Sequence, residues 1–552
     1  MLSEVGKKVE QLTTDLVRTA SINGTAGEVR LAEWIYNYLK VIPYFQRHPR
    51  DLFMEELAGD PLGRKNVFAM VRGTKGNSKK TVILHGHMDT VGVDDYGELK
   101  EYAFDPEGLA SALAGVQLSG EVARDLASGD WMFGRGSNDM KSGLAAHLYV
   151  LEYLAERADR LSGNVLFTAN PVEENQHTGI IEALEVFKRL RQEEGLDFVA
   201  AINADYTAPR FPGDDNRYVY LGAVGKLLPS FYIVGKETHV GSCFEGLDPT
   251  MIASELVRMI DLNTELCDEA EGEVTLPPTV LKMQDLKTHY TVQTPLAAYL
   301  YINYFTHTRS PLAVMQELKS LAREAFSRTL EVLNRRYEQY CVKAGLPFSQ
   351  LPWEPRVLSF AELYREVRGM AGEAVDRQVE ELAQEWLEHR PYDERVLCLK
   401  VVEIVHRMHP DRSPVVVVFY APPYCPHVYV KGASQPEQKL ISSLAGIVQS
   451  FSERTGQVIK LQKFFPYLSD SSYLMLDEDD ETLDALIGNF PKWDTVYPLP
   501  VKTIREMNIP AINIGPWGKD AHKMTERVYK PYSFELLPQL ILEAATGLLE
   551  ME

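Results

Sequence analysis

Val5, Val9, Leu12 and Leu16 recur at helical spacing and predict a first helix over residues 5–18. The break Ser21-Ile22-Asn23-Gly24 ends it. Leu31, Ile35, Tyr36 and Leu39 then set a second helix over 28–41. After that the apolar runs shorten to strand length, at 66–71, 81–84, 164–169, 198–203 and, near the end, 509–514. A helix from about 144 to 158 separates two of them. Short runs that are apolar throughout imply strands covered on both faces, so the alternation predicts an α/β sandwich around a mostly buried sheet. The stretch 93–130 is acidic and without periodicity, and is expected as an irregular insertion at a strand exit.

From residue 222 the pattern changes. Strand patterns at 228–234, 280–286 and 299–304 are interleaved with helical ones at 248–262 and 311–340. Further helical sequence fills 342–408, with Val375, Val379, Leu382 and Trp386 on one face of 371–388. The closing strand is either 357–360 or 415–420. The second is preferred, because Pro422-Pro423-Tyr424 then leads by way of Gly432 to a helix over 435–455.

A chain of 552 residues exceeds what one hydrophobic core usually supports, so at least two domains are expected. The net charge of −21 argues against a nucleic-acid partner and against an anionic membrane surface. Five scattered cysteines without a C-x-x-C give neither a disulfide framework nor a thiolate zinc site. The N-terminus lacks an apolar core of signal-peptide length, and the run 415–420 is too short to span a bilayer. The expectation is a soluble, cytoplasmic protein.

Chemistry enters at the strand exits. The strand at 81–84 runs out into His87-Met88-Asp89, whose His and Asp project the same way. The strand at 164–169 exits into Glu173-Glu174, and that at 198–203 into Asp205. Asp139, in Gly134-Arg135-Gly136-Ser137-Asn138-Asp139, stands just ahead of a helix, and His522 follows a strand and a glycine-rich turn. Singly, each has a bland reading as a helix cap or a loop residue. Together they gather carboxylates that repel one another unless a cation neutralises them. Mixed His and carboxylate donors favour zinc over magnesium or calcium.

This ordered set resembles the two-zinc amidohydrolases of peptidase clan MH: aminoacylases, acetylornithine deacetylase, succinyl-diaminopimelate desuccinylase and glutamate carboxypeptidases. The matching pieces are His87-Met88-Asp89, Asp139-Met140-Lys141-Ser142-Gly143, Glu173-Glu174, Asp205, His239-Val240-Gly241 and Ala521-His522 followed by Glu526. The resemblance implies a zinc-peptidase-like α/β sandwich with an inserted, enlarged ferredoxin-like α+β lid, the catalytic domain occupying 1–221 and 433–552 and the lid 222–432. It implies two zinc ions, with cobalt or manganese as substitutes. His87 and Asp205 would bind one ion, Glu174 and His522 the other, and Asp139 would bridge them. Glu173 would be the general base toward a metal-bridging water, and Asp89 would orient His87. A cis peptide bond would follow Asp139. His239 would reach over from the lid to stabilise the oxyanion, from its own chain or from a partner subunit.

The long lid, the stretch Tyr420-Ala421-Pro422-Pro423-Tyr424-Cys425-Pro426-His427 and the stretch 464–470 resemble the arginine-utilisation RocB branch. The implied activity is hydrolysis of an amide bond in a small N-acyl amino acid or peptide. Arg309 is a candidate clamp for a substrate carboxylate, and Arg135 is a candidate structural residue. A related aminopeptidase and a catalytically retired binding or regulatory protein in arginine metabolism are the alternatives. No ligand or base position is missing, which favours an enzyme. Whether the chain forms a homo-oligomer is left open.

Overall fold

Lys80–His87 lies near the middle of an eight-stranded sheet whose order is Leu52–Glu56, Lys65–Arg72, Asn164–Asn170, Lys80–His87, Asp197–Asn203, Ala511–Asn513, Arg217–Tyr220 and Ile459–Gln462. In this computed structural model, which describes residues 2–551, the sheet belongs to the first of two units. That unit is built from the chain up to Ala223, Val428–Leu476 and the segment from Pro500 on. The four strands 164–170, 80–87, 197–203 and 511–513 pair in parallel. His87 stands opposite Asn170, His85 opposite Asn203, and Asn203 opposite Asn513. Parallel pairing in this register brings their carboxyl ends to one edge, where open α/β sheets place their ligand sites.

Side chains alternate across the sheet as extended backbone requires. On Lys65–Arg72, Val67, Ala69 and Val71 join one large core with residues of the helices Glu4–Arg18, Ala26–Lys40, Ser142–Ala155 and Leu537–Leu549. Phe68 faces the other way and meets Phe187 of the helix Thr178–Glu194 edge-on at 6.4 Å. Both faces of the sheet are therefore covered, in keeping with strands that are apolar throughout.

The second unit comprises Val224–His427 and Asp477–Leu499. Its main sheet runs Thr279–Asp285, Ala297–Thr306, Pro229–Val234, Val415–Tyr420, Val357–Ser359. The first four are antiparallel neighbours and, with the helices Pro249–Ile260 and Pro311–Ala344, make the βαββαβ order of a ferredoxin-like domain. Both candidates for the closing strand are strands: Val357–Ser359 adds to the outer side of Val415–Tyr420 in parallel. The helices Phe360–Ala371, Ala374–His389 and Glu394–Met408 lie between them in the chain and account for the enlargement.

Two details differ from the sequence reading. The segment 93–130 is not irregular; it holds a 3₁₀ stretch at Asp94–Tyr102 and the helices Pro106–Leu113 and Gly120–Ser128. These close on a small core of Tyr96, Leu109, Leu113, Val122 and Phe133, too short-ranged to show as periodicity. Residues 477–499, read as part of the C-terminal catalytic segment, fall in the second unit. There the Asn489 carbonyl accepts the Tyr420 N–H at 2.8 Å, and Phe490 packs edge-on against Trp493 at 4.9 Å. No helix among the described residues is long and apolar enough to cross a membrane.

Candidate metal centre

The sheet edge delivers the acidic and imidazole groups one strand at a time. His87 is the last residue of its strand and is buried. Glu173 and Glu174 follow Asn164–Asn170 through Val172, whose φ of 70° is a left-handed value that a β-branched residue rarely adopts. Asp205 follows Asp197–Asn203, with its N–H held by Asn513 Oδ1 at 3.0 Å. Asp139 precedes the helix Ser142–Ala155, and the bond Asp139–Met140 is cis. His522, at φ 63°, lies just after Gly518–Lys519 and is exposed.

Two donor groups result, and Asp139 is in both. His87, Asp139 and Asp205 form one; Asp139, Glu174 and His522 form the other, with donor atoms within 4.8 Å in each. Asp139 Oδ1 is 3.0 Å from His87 Nε2, and its Oδ2 is 3.1 Å from His522 Nε2. Glu174 Oε1 is 3.0 Å from the same His522 nitrogen. One carboxylate thus turns an oxygen to each imidazole, which is what a bridging ligand must do.

The charges follow from this crowding. Burial and the neighbouring Asp139 carboxylate push Asp205 well above the ordinary carboxylate range. Burial raises Glu173 as well, against the pull of His87 and His177. Burial works against charging His87, yet the carboxylates of Glu173, Asp139 and Asp89 outweigh it and hold the imidazole well above its usual value. His522 is likewise carried to about 11, against the desolvation of its ring in the cluster, by hydrogen bonds to Asp139 and Glu174. Protons on the imidazoles are thus held by carboxylates that a cation would satisfy as well. Two imidazole nitrogens with carboxylate oxygens make a donor set that suits zinc.

A surrounding layer fixes these groups. The Asp89 carboxylate accepts the N–H of Glu173 on Oδ1 and of Glu174 on Oδ2, each at 3.0 Å, with Asn23 Nδ2 at 2.8 Å from Oδ2. The expected contact with His87 comes instead from the Asp89 carbonyl, 3.1 Å from Nδ1, while the carboxylate stays 3.8 Å away. Glu526 Oε1 accepts the N–H groups of Asn138 and Asp139, both at 3.1 Å. Its Oε2 meets Arg135 Nη1 at 2.8 Å, and Arg135 Nη2 reaches Asp95 at 2.8 Å. Arg135, 1% exposed, is thereby a buried strut behind Asp139.

Two residues that sequence reasoning missed complete the region. His177 and Asp470 are each 2% exposed and form, with Glu173, a third cluster of donor atoms within 4.8 Å. The two lie 293 positions apart in the chain, and His177 carried no signal beyond following Glu173-Glu174 by a few residues. In the second unit, His239 is exposed, and its Nδ1 accepts the Gly241 N–H at 3.0 Å. Arg309 has its guanidinium on Glu317 Oε2 at 2.9 Å and Tyr304 Oη at 2.6 Å, a set of ties internal to that unit.

Comparison with known proteins bears on this arrangement. The model of the family described as Peptidase family M20/M25/M40 matches residues 83–530. The chain is 42% identical over 544 residues to Protein RocB of Bacillus subtilis, covering 99% of this chain and 95% of that protein. Among solved structures it is similar to aminopeptidase PepT of Bacillus cereus, with a TM-score of 0.54 at 12% identity and 99% of each chain covered. It is also similar to the Bacillus subtilis YXEP protein, a dinuclear metal binding peptidase, with a TM-score of 0.51 at 11% identity and again 99% of each chain covered. At such identities these two likenesses speak for the fold alone. The family match spans His87, the turn at Asp139, Glu173-Glu174, Asp205 and the late histidine, and the chain accordingly belongs to Peptidase family M20/M25/M40 and is a metal-dependent hydrolase.

Proposed function

We propose that the chain hydrolyses the amide bond of a small N-acyl amino acid or peptide, with two zinc ions held by His87 and Asp205, by Glu174 and His522, and by Asp139 between them. The observation that carries this reading is the Asp139 carboxylate, set 3.0 Å from one imidazole and 3.1 Å from the other, with Asp205 and Glu174 on either side. Bound in pairs, such ions lower the pKa of a water and draw charge from a carbonyl. The chain's own residues supply the proton handling. Glu173 Oε2 stands 4.0 Å from His87 Nε2 and belongs to neither ion's group. Its burial lifts its pKa above the ordinary range, toward that of a base poised to take a proton and return it to the leaving nitrogen. Asp89 fixes Glu173 and Glu174 through their backbone, so that the two neighbouring side chains diverge into different tasks.

His239 is assigned the oxyanion in this reading. With its Nδ1 accepting the Gly241 N–H, a neutral ring carries its proton on Nε2 and is a donor there. The likeness to Protein RocB supports a substrate among derivatives of amino acids. Purified protein loaded with zinc and offered N-acetyl, N-succinyl and N-carbamoyl amino acids and dipeptides should hydrolyse one of these classes and hold two metal ions per chain. A chain that binds two ions and cleaves none of them would sink the amide reading; one that takes up no transition metal would sink the site.

A further inference from the structure

The Glu173 carboxylate lies between two imidazoles. Its Oε2 faces His87 at 4.0 Å, whereas its Oε1 faces His177 Nδ1 at 3.7 Å. That same nitrogen lies 3.0 Å from Asp470 Oδ1. Glu173 is 8% exposed and the other two 2%, so no solvent screens the three groups from one another. We propose that His177 and Asp470 are a positioning pair for Glu173, Asp470 fixing the imidazole and the imidazole fixing the angle of the carboxylate. This rests on the reading of Glu173 as the base.

The local backbone is built for this. The turn that carries Glu173 and Glu174 is closed by the His177 N–H donating to the Val172 carbonyl at 2.8 Å. Both ends of that turn have left-handed φ, 70° at Val172 and 57° at His177, which non-glycine residues adopt only when their surroundings demand it. Asp470 opens a short 3₁₀ turn, Asp470–Tyr473, capped by Ser469, whose Oγ is also held by Asn203 Nδ2 at 2.9 Å. Asn203 ends the strand that delivers Asp205, so Asp470 is referenced to the same sheet edge as the metal donors. The Tyr473 ring covers the other side of His177 at 4.9 Å between centroids.

The chemistry calls for such a pair. The Glu173 carboxylate is repelled by both Glu174 and Asp470, and without an imidazole between it and Asp470 it would turn away. An imidazole on its far oxygen supplies the opposing attraction. A second carboxylate on the imidazole selects the Nδ1–H tautomer, as an outer carboxylate does for metal-bound histidines. Because Nδ1 is within 4 Å of both carboxylates, loss of Asp470 removes one of the contacts that set the imidazole and through it shifts Glu173.

The test uses the zinc-loaded full chain and the variants His177→Gln, Asp470→Asn and both together. Metal content should stay at two ions per chain. Against whichever N-acyl amino acid or dipeptide the wild type cleaves, kcat should fall about ten- to a hundredfold with KM little changed. The double variant should be no slower than the slower single one, because the two act as a unit. In proton spectra of protein with ¹⁵N-labelled histidine, a far-downfield Nδ1–H resonance should vanish in His177→Gln and shift in both Asp470→Asn and Glu173→Gln. That arm needs no substrate, so it decides the geometry even if the wild type cleaves nothing in the panel and the amide reading falls. An unchanged kcat in His177→Gln overturns the proposal. So does a resonance indifferent to Glu173→Gln, or a loss of bound metal in Asp470→Asn, which would make the cluster a third ion site.

Discussion

Asp89 Oδ1 accepts the backbone N–H of Glu173 at 3.0 Å, so the residue that follows one strand's exit sets the backbone that follows another's. The same carboxylate also receives the Glu174 N–H and the Asn23 amide, three donors on two oxygens. An asparagine here offers one oxygen and one NH₂, and the NH₂ must face at least one donor. Asp89→Asn is therefore expected to cost about 1–3 kcal/mol in stability through the unsatisfied contact. It should also lower turnover by about 10–100-fold through the displaced glutamates. Thermal unfolding and steady-state kinetics on the same preparation check both; a variant with wild-type melting would leave the carboxylate without this role.

Glu173→Gln keeps the volume and hydrogen-bonding reach of the side chain and removes its capacity to take a proton. Under the proposed mechanism it should retain two metal ions and lose about 10²–10⁴-fold in kcat. Elemental analysis separates this from the other outcome: joint loss of metal and activity would mean that Glu173 is a ligand and Glu174 the base.

The strand-exit pattern in the sequence pointed to His87, Glu173-Glu174 and Asp205 because parallel strands end at one edge, so a local rule has a global consequence, while the separate tasks of Glu173 and Glu174 came from the family resemblance. His87 and His522 are brought 3.0 and 3.1 Å from one Asp139 carboxylate although they stand far apart in the chain. The supporting layer was less legible. That Asp89 acts by its carbonyl on His87 and by its carboxylate on Glu173 depends on a backbone turn without a sequence signature. Asp470 ends the stretch 464–470 that carried the resemblance to the RocB branch, but its partner His177 is 293 positions away. Pairings of that range come from the sheet and not from spacing. The helices within 93–130 escaped for the opposite reason, being too short to develop a period.

Arg135 has its charge divided between Glu526 and Asp95, deep behind Asp139. Arg135→Met leaves the Glu526 carboxylate buried without its cation, a change that typically costs about 3–5 kcal/mol. Adding Glu526→Gln removes the stranded charge, while the amide oxygen can still accept the N–H groups of Asn138 and Asp139. The double variant should regain part of the loss in urea unfolding. No recovery would show that the arginine acts through packing on Tyr96, whose ring lies 5.2 Å away.

His147 lies on the helix Ser142–Ala155 and is completely buried, with neither ring nitrogen bonded among the described residues. Burial, with His85 nearby, pushes its pKa down to about 3, against about 6.5 in an unfolded chain. Between those values the unfolded chain binds a proton that the folded one refuses. The stabilisation tied to the neutral ring is complete above about pH 6.5 and is lost as pH falls, by up to about 1.4 kcal/mol per unit. His147→Leu should flatten the acid side of the melting-temperature profile, the variant gaining on the wild type as pH drops from about 7 to 4. Parallel profiles would place the acid sensitivity elsewhere, in the buried carboxylates.

His239 heads the 3₁₀ turn Val240–Glu245, and its side chain is exposed. The Gly241 N–H on its Nδ1 settles the tautomer of the neutral ring and leaves Nε2–H as donor. A surface histidine needs no fixed tautomer, whereas a donor to a developing oxyanion does. His239→Ala should therefore leave metal content and melting temperature unchanged, since the side chain supports no core. It should lower kcat by about 10²–10³-fold, the loss seen when one oxyanion donor is removed, and move KM far less. Mixing His239→Ala with Glu173→Ala protein then tells where the donor comes from. Recovered activity means that the histidine serves the site of a partner subunit; none, with subunit exchange demonstrated by a labelled chain, means that it serves its own. Full activity of His239→Ala alone on the true substrate would remove it from the mechanism.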